Sequence, residues 1–186
     1  MAANIHVRNR NNNAPNASPA KWKLRYHTRP GDIGYLTHLH GITYAKEYGY
    51  DQTFEAYVAD GLAKFIQSFS PDKDRIWLAE ADGQIIGSVA IVGHSKVEAQ
   101  LRWFFVHPKY RGVGVGGKLL NEALLFCKER EYRTVFLWTT SELGVAQDLY
   151  TRIGFKRTQT KTHRIWGKTI TEERYDLRLR RCGSRH

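Results

Sequence analysis

The stretch that most restricts how this chain can fold is Val106-His107-Pro108-Lys109-Tyr110-Arg111-Gly112-Val113-Gly114-Val115-Gly116-Gly117-Lys118-Leu119-Leu120. It sets a glycine-dense turn between an apolar, strand-like run and a helical stripe made of Leu119, Leu120, Ala123, Leu124 and Cys127. Without Cβ atoms the backbone of such a turn can approach an anion closely. The first N–H groups of the following helix are unpaired donors at the positive end of its dipole. Arg111 and Lys118 add charge, so the segment reads as a phosphate cradle. A Rossmann fingerprint would follow the first strand of a parallel βαβ unit and have an acidic residue about 20 positions on. A Walker loop would continue Gly-Lys-Ser/Thr, whereas Lys118 is followed by Leu119. Neither pattern fits.

The rest of the chain sets the context of that turn. Alternation in Trp22, Leu24 and Tyr26 suggests a first strand, closed by Arg29-Pro30-Gly31-Asp32. Asp32 is expected to cap a helix to about Glu47 that presents Tyr35, Leu36, Leu39, Ile42 and Ala45. A second helix is expected from about Thr53 to Phe69, with Phe54, Tyr57, Val58, Leu62, Phe65 and Ile66 on one side. A meander follows: Arg75 to Ala81, the hairpin signal Asp82-Gly83, Ile85 to Val92, and Ala99 to Val106. After the helix from Gly116 to about Arg130 comes a strand over Thr134 to Thr139. A helix over Leu143 to Ile153 is closed by Gly154, and Phe155 begins a final pair of strands turning at Gly167-Lys168.

Residues 1–20 include a polar, Asn-rich run that cannot bury enough apolar surface to offset ordering its backbone, and they read as a disordered tail. With 186 residues, 41% of them hydrophobic, the chain is large enough for one self-sufficient core. No run approaches the roughly 18 apolar residues of a membrane span, and no signal-peptide core opens the chain. A cytoplasmic protein with no membrane partner is expected. Cys127 reads as core and Cys182 as incidental; with no His/Cys cluster, no metal site is expected. The net charge of +11 suits a polyanionic cofactor. The cations are spread along the chain except for Arg178, Arg180, Arg181 and Arg185, and no nucleic-acid-binding motif accompanies them, so specific nucleic-acid binding is not expected.

Arg111, Gly114 and Gly116, preceded by Val106 and Pro108, resemble the Arg/Gln-x-x-Gly-x-Gly/Ala motif of the GNAT superfamily of N-acetyltransferases. Ala146, Leu149-Tyr150 and Gly154-Phe155 match that family's Ala-x-x-Leu-Tyr-x-x-x-Gly-Phe ending. The resemblance covers roughly residues 22 to 180. It looks especially like the acetyltransferase half of bacterial proteins that carry a winged-helix regulator in front, a regulator missing from this sequence. It implies an α/β (α+β) fold with one GNAT-type domain over residues 21–180, a disordered tail over 1–20 and a basic tail over 181–186. The expected sheet is mixed and mostly antiparallel, of about six to seven strands flanked by four helices, and splayed at the cofactor site. There the pantetheine arm of acetyl-CoA would pair with the backbone of Phe104, Phe105 and Val106. Arg111, Gly112, Val113, Gly114, Val115, Gly116, Gly117 and Lys118 would hold its pyrophosphate. Phe104 and Phe105 also fit a purely core role.

Direct transfer needs a neutral amine, yet a lysine-like amine is neutral only about once in a thousand at pH 7.4, so a base or a water relay is required. The leaving thiolate needs a proton, and the resemblance assigns that to Tyr150. Gln100 stands where the family often has a glutamate base and cannot accept the proton. Glu98, two residues earlier on the same strand face, and Glu80, on the neighbouring strand, are the candidate bases. His107 is a further candidate. His40, Tyr44 and Tyr50 in the helical segment, and His163, Trp166 and Glu172 near the last hairpin, fall where the family forms its acceptor pocket. The resemblance therefore implies transfer of acetyl from acetyl-CoA to a primary amine of a small molecule, peptide or protein. The alternative is a catalytically inactive acyl-CoA-binding module, motivated by Gln100 and by Leu143 in place of a common Asn. A homodimer is left open.

Overall fold

The computed structural model describes residues 21–179; the two expected tails and Cys182 lie outside them. The elements run β1 (Lys23–Arg25), α1 (Asp32–Tyr48), α2 (Gln52–Gln67), β2 (Arg75–Ala81), β3 (Gln84–Gly93) and β4 (Glu98–Val106). They continue with α3 (Val115–Glu129), β5 (Thr134–Thr140), α4 (Gly144–Ile153), β6 (Lys156–Ile165) and β7 (Lys168–Arg178). The strands form one seven-stranded sheet in the order β1-β2-β3-β4-β5-β7-β6, antiparallel except between β4 and β5. Residues 21–179 thus make the mixed, mostly antiparallel α/β sheet with four α-helices that the sequence leads one to expect.

The sheet has a core on each face. Trp77, Val89, Ala99, Leu101 and Leu137 turn to the side covered by α3 and α4, where Leu119, Phe126 and Cys127 meet them. Ile76, Leu78, Ala90, Trp103 and Phe105 turn to the side covered by α1 and α2. Burial pushes the Cys127 thiol up to about 12, so it is an inert core side chain.

Both N-terminal helices turn differently from the simple reading of their spacing. Asp32 does not cap α1; Gly31 does, in a left-handed conformation with no side-chain cap. The Asp32 carboxylate instead accepts two hydrogen bonds from Arg25, at 2.6 and 3.0 Å, and one from the Arg29 amide. The buried face of α1 is Leu36, Leu39, His40 and Thr43, while Ile42 and Ala45 face solvent, as do Tyr57 and Ile66 on α2. Polar His40 lies inward because α1 walls a cleft as well as a core.

Two departures from a regular sheet create that cleft. Ser88 pairs with Phe105 and Ala90 with Arg102, so β4 places one residue more than β3 between these points, and Trp103 takes a positive φ of 47°. The Ser88 hydroxyl donates to the Trp103 carbonyl at 2.7 Å and fixes this bulge. Meanwhile β4 and β5 are paired only from Glu98–Thr134 to Gln100–Phe136. Beyond them the strands diverge. At the far edge, β6 has one neighbour, β7, and is exposed along most of its length.

Arg25, itself buried, ties β1 to β2 through Glu80 at 2.8 Å and to the start of α1 through Asp32. Arg25→Leu should cost roughly 3 kcal/mol in urea unfolding, because it leaves the buried Glu80 carboxylate with only the exposed Arg29, 3.8 Å away, as a partner. Burial works to raise the Asp32 carboxyl, but the Arg25 and Arg29 hydrogen bonds outweigh it and hold the group below its ordinary value. Its contribution is therefore present above about pH 4 and lost as pH falls toward the folded-state value. That acid limb of the stability curve should flatten in Arg25→Leu.

Candidate active site

The glycine turn begins with a single turn of 3-10 helix over Pro108–Tyr110, opened by His107, whose ring nitrogen accepts from the Lys109 amide at 3.3 Å. Gly112 and Gly114 have φ of 78° and 90°, a region costly for side chains with a Cβ. The first amide with an intrahelical acceptor is Lys118, which donates to the Gly114 carbonyl at 3.0 Å. The N–H groups of Val115, Gly116 and Gly117 are the open donors of the α3 N-terminus. Gly116 lets α3 approach β4: a Cβ there would lie 3.2 Å from Phe104 Cζ. At Gly117 a Cβ would meet nothing within 4 Å and φ is not positive, so no packing or backbone demand of the fold calls for glycine. The space outside it suits an approaching anion.

The side chains of the turn share this work unevenly. Val115 is fully buried and offers only its backbone. Arg111 donates to the Val106 carbonyl at 3.1 Å and pairs with Glu47 of α1 at 3.0 Å, so its guanidinium braces the turn against α1. Lys118 pairs with Glu122 at 2.6 Å on the helix surface.

Beside this turn, where β4 and β5 have parted, lies a cleft whose walls include Phe104, Leu143 and Tyr150 at one end. Tyr150 packs against Phe104 and Phe155, each 5.9 Å between ring centroids. Burial pushes its phenol well above the ordinary range, so it stays protonated and keeps an O–H to donate. At the other end stands an aromatic wall. Tyr50, Phe54 and Tyr57 surround Trp166, with centroids 5.1, 4.8 and 5.5 Å away. Trp166 occupies the β6–β7 turn at φ 50°. That strained conformation is held by the Asp51 amide, which donates to the Trp166 carbonyl at 3.2 Å. Lys168 ties the same hairpin to the Tyr48 carbonyl at 2.9 Å and to Glu142 at 2.5 Å.

His40, Tyr44, Tyr50, Trp166 and Glu172 all line the cleft. His163, next to it on β6, brings Nε2 within 2.7 Å of a Glu172 carboxylate oxygen without hydrogen-bond geometry. Neither carboxylate favoured as base lies there. Glu80 is locked between Arg25 and Arg29 on the β1 side of the sheet, and Glu98 is held by Arg174 at 3.1 Å where β4 and β5 are still paired. Gln100 does line the cleft, with its amide oxygen 3.1 Å from His94 Nε2. Sequence reasoning passed over Arg102, Trp103, Trp138 and Thr140, all on the wall. Alternation along β4 brings Arg102 to the face of Gln100, a signal that was available; the bulge at Trp103 had none.

Two wall residues keep buried polar atoms with no partner among the described residues, His40 Nε2 and Trp103 Nε1. His40 Nδ1 lies 2.9 Å from the Leu36 carbonyl, which can only accept, so Nδ1 carries the proton and Nε2 is the acceptor.

Comparison with known proteins fits this geometry. Residues 72–157, from before β2 to the start of β6, match the model of the acetyltransferase (GNAT) domain. Over those residues the chain carries a GNAT-family acetyltransferase domain. It is similar to an uncharacterized N-acetyltransferase of Methanocaldococcus jannaschii, 36% identical over 91 residues, covering 46% of this chain and 40% of that protein. An acetyltransferase structure from Streptococcus agalactiae superposes with a TM-score of 0.66 at 23% identity, over 85% of this chain and 98% of that one. A GNAT structure from Elizabethkingia anophelis with acetyl-CoA bound gives 0.60 at 17%, over 85% and 98%. The chain spans about half or less of the first curated relatives it matches, 40%, 50% and 51% of their lengths. No helix of the GNAT domain, or elsewhere among the described residues, is long and apolar enough to cross a membrane.

Burial lowers the His40 imidazole to about 4 in this domain. Between about pH 6.5 and 4 the unfolded chain binds a proton that the folded one does not. Stability should therefore fall with pH through that window, by up to about 1.4 kcal/mol per unit. Chemical denaturation across the window should show a shallower slope for His40→Gln.

Proposed function

We propose that this chain is an acetyl-CoA-dependent N-acetyltransferase that transfers acetyl directly to a primary amine of a small molecule or peptide. The observation that carries the reading is adjacency: the anion-ready N-terminus of α3 packs through Gly116 against Phe104, which together with Tyr150 and the aromatic wall lines the cleft. The residues fit the co-substrate. Free amides and the bare surface at Gly117 suit a pyrophosphate, and the backbone of Phe104, Phe105 and Val106, unpaired on the β5 side, suits the amides of a pantetheine arm. Acetyl-CoA would supply the activated thioester. The cytoplasm is the compartment that goes with it.

The proton movements fall to this chain's side chains. Glu172, on the cleft wall, takes the proton that the amine must shed, directly or through water. The amine nitrogen forms its bond to the acetyl carbon as the carbon–sulfur bond breaks. Tyr150 donates its phenolic proton to the departing sulfur and regains one through the cleft. Gln100 favours a second reading, a binding module without turnover, and Glu172 is the group that offsets that loss.

Three substitutions test the reading. Tyr150→Phe should lower kcat at least tenfold in an assay of thiol release, while calorimetry finds the acetyl-CoA Kd within about twofold of wild type. An equal fall in affinity would make Tyr150 a packing residue. Gly117→Asp places a carboxylate at a helix N-terminus, which favours the fold, so Tm should hold or rise while acetyl-CoA binding weakens more than tenfold. Glu172→Gln should suppress turnover around neutral pH and lose its effect as pH rises toward the amine's own pKa, where the base is no longer needed. Acetyl-CoA binding without thiol release from any amine would instead favour the inactive module.

A further inference from the structure

The cleft wall carries one guanidinium and one carboxylate among the described residues, Arg102 and Glu172. Arg102 has no carboxylate within ion-pair distance among them, yet it is held firmly. Its Cζ lies 4.3 Å from the Trp103 ring centroid, and Nη2 donates to the Tyr57 hydroxyl at 3.3 Å. The group rests on Gly61 in the middle of α2, where a Cβ would come within 3.0 Å of Nη2 and 3.1 Å of Trp103 Cζ2. A mid-helix glycine costs about 1 kcal/mol relative to alanine, so α2 forgoes stability to seat this guanidinium. A flat, pre-placed guanidinium with free donors is a carboxylate receptor, because its fork matches two oxygens at once.

Taking the proposed transferase reading as given, we propose that the acceptor is a zwitterion: a free amino acid with an aromatic side chain. Arg102 binds its carboxylate, Glu172 faces its amine, and the wall of Tyr50, Phe54, Tyr57 and Trp166 receives its ring. A polyamine or a lysine side chain has no group for Arg102. Either would bring a second positive charge toward a fixed one, which disfavours it.

The test compares phenylalanine, tyrosine and tryptophan with phenethylamine, tyramine and tryptamine, which lack only the carboxylate, alongside spermidine and a lysine-containing peptide. Purified full-length protein is assayed for thiol release with acetyl-CoA. The amino acids should exceed their decarboxylated partners at least tenfold in kcat/KM. Arg102→Gln should erase that gap by raising KM for the amino acids roughly ten- to hundredfold while KM for the plain amines does not rise, and Arg102→Lys should restore part of it. Circular dichroism of each variant separates misfolding from lost recognition. If Arg102→Gln is unfolded, the paired substrates and Arg102→Lys decide the matter in its place. Equal or better use of the decarboxylated amines, acceptance of spermidine or the peptide alone, or an equal fall with both substrate classes in Arg102→Gln would overturn the inference. So would acetyl-CoA binding with no amino acid accepted. Absence of acetyl-CoA binding would instead overturn the transferase reading beneath it.

Discussion

The extra residue in β4 is the constraint on which the rest of the molecule depends. A strand that alternates strictly would send Arg102 and Trp103 to opposite faces. With Trp103 at φ 47° and its carbonyl held by Ser88, both lie on the α1–α2 side, and Phe104 turns to the face where Tyr150 waits. A bulky residue in that conformation costs on the order of 1–3 kcal/mol, and such strain persists only where its surroundings over-determine it. Here it lets a guanidinium lie flat on the indole of its own neighbour. It sits just beyond the point where β4 parts from β5.

The two cores that flank the sheet are consequently put to different uses. The α3–α4 core is apolar and closes tightly under the glycine turn, with Val115 and Leu119 set against Gly87 so closely that a Cβ there would come within 3.1 Å of both. Rigid support of that kind keeps the α3 amides at fixed positions, which is what an anion-binding terminus needs. The α1–α2 core is rich in tyrosine, with histidine and threonine turned inward, and it leaves polar atoms unsatisfied at its margin. Such a wall tolerates solvent or a ligand because its aromatic members carry polar ends.

How much of this was legible in the sequence depended on whether the feature was local. The glycine turn, the Asp82-Gly83 hairpin, the helical stripe from Leu119 to Cys127 and the Gly154 stop are each encoded within a few residues, and each appears where expected. The bulge was invisible because Trp103-Phe104-Phe105 contains none of the residues that usually mark one. The candidate bases fell outside the cleft for a different reason. Period-two alternation correctly put Glu98 on the face of Gln100, but only the fold brings Arg174, 76 residues away, to hold it. Arg111 likewise fits its motif, while its engagement with Glu47, 64 residues earlier in the chain, is a tertiary fact. The buried face of α1 was misjudged because hydrophobicity alone ranks Ile42 above His40.

The outer strand β6 presents a row of backbone groups with no partner on one side, which ordinarily invites another sheet to dock there. Lys156, Arg157, Lys161 and Arg164 stand on that strand, exposed, in a molecule already strongly cationic. Two copies meeting edge to edge would set these charges against one another, a repulsion that falls away only as added salt screens it. The sheet therefore ends in an electrostatic fence, and the protein should remain dispersed at concentrations where an uncharged edge of the same length would begin to zip into fibrils.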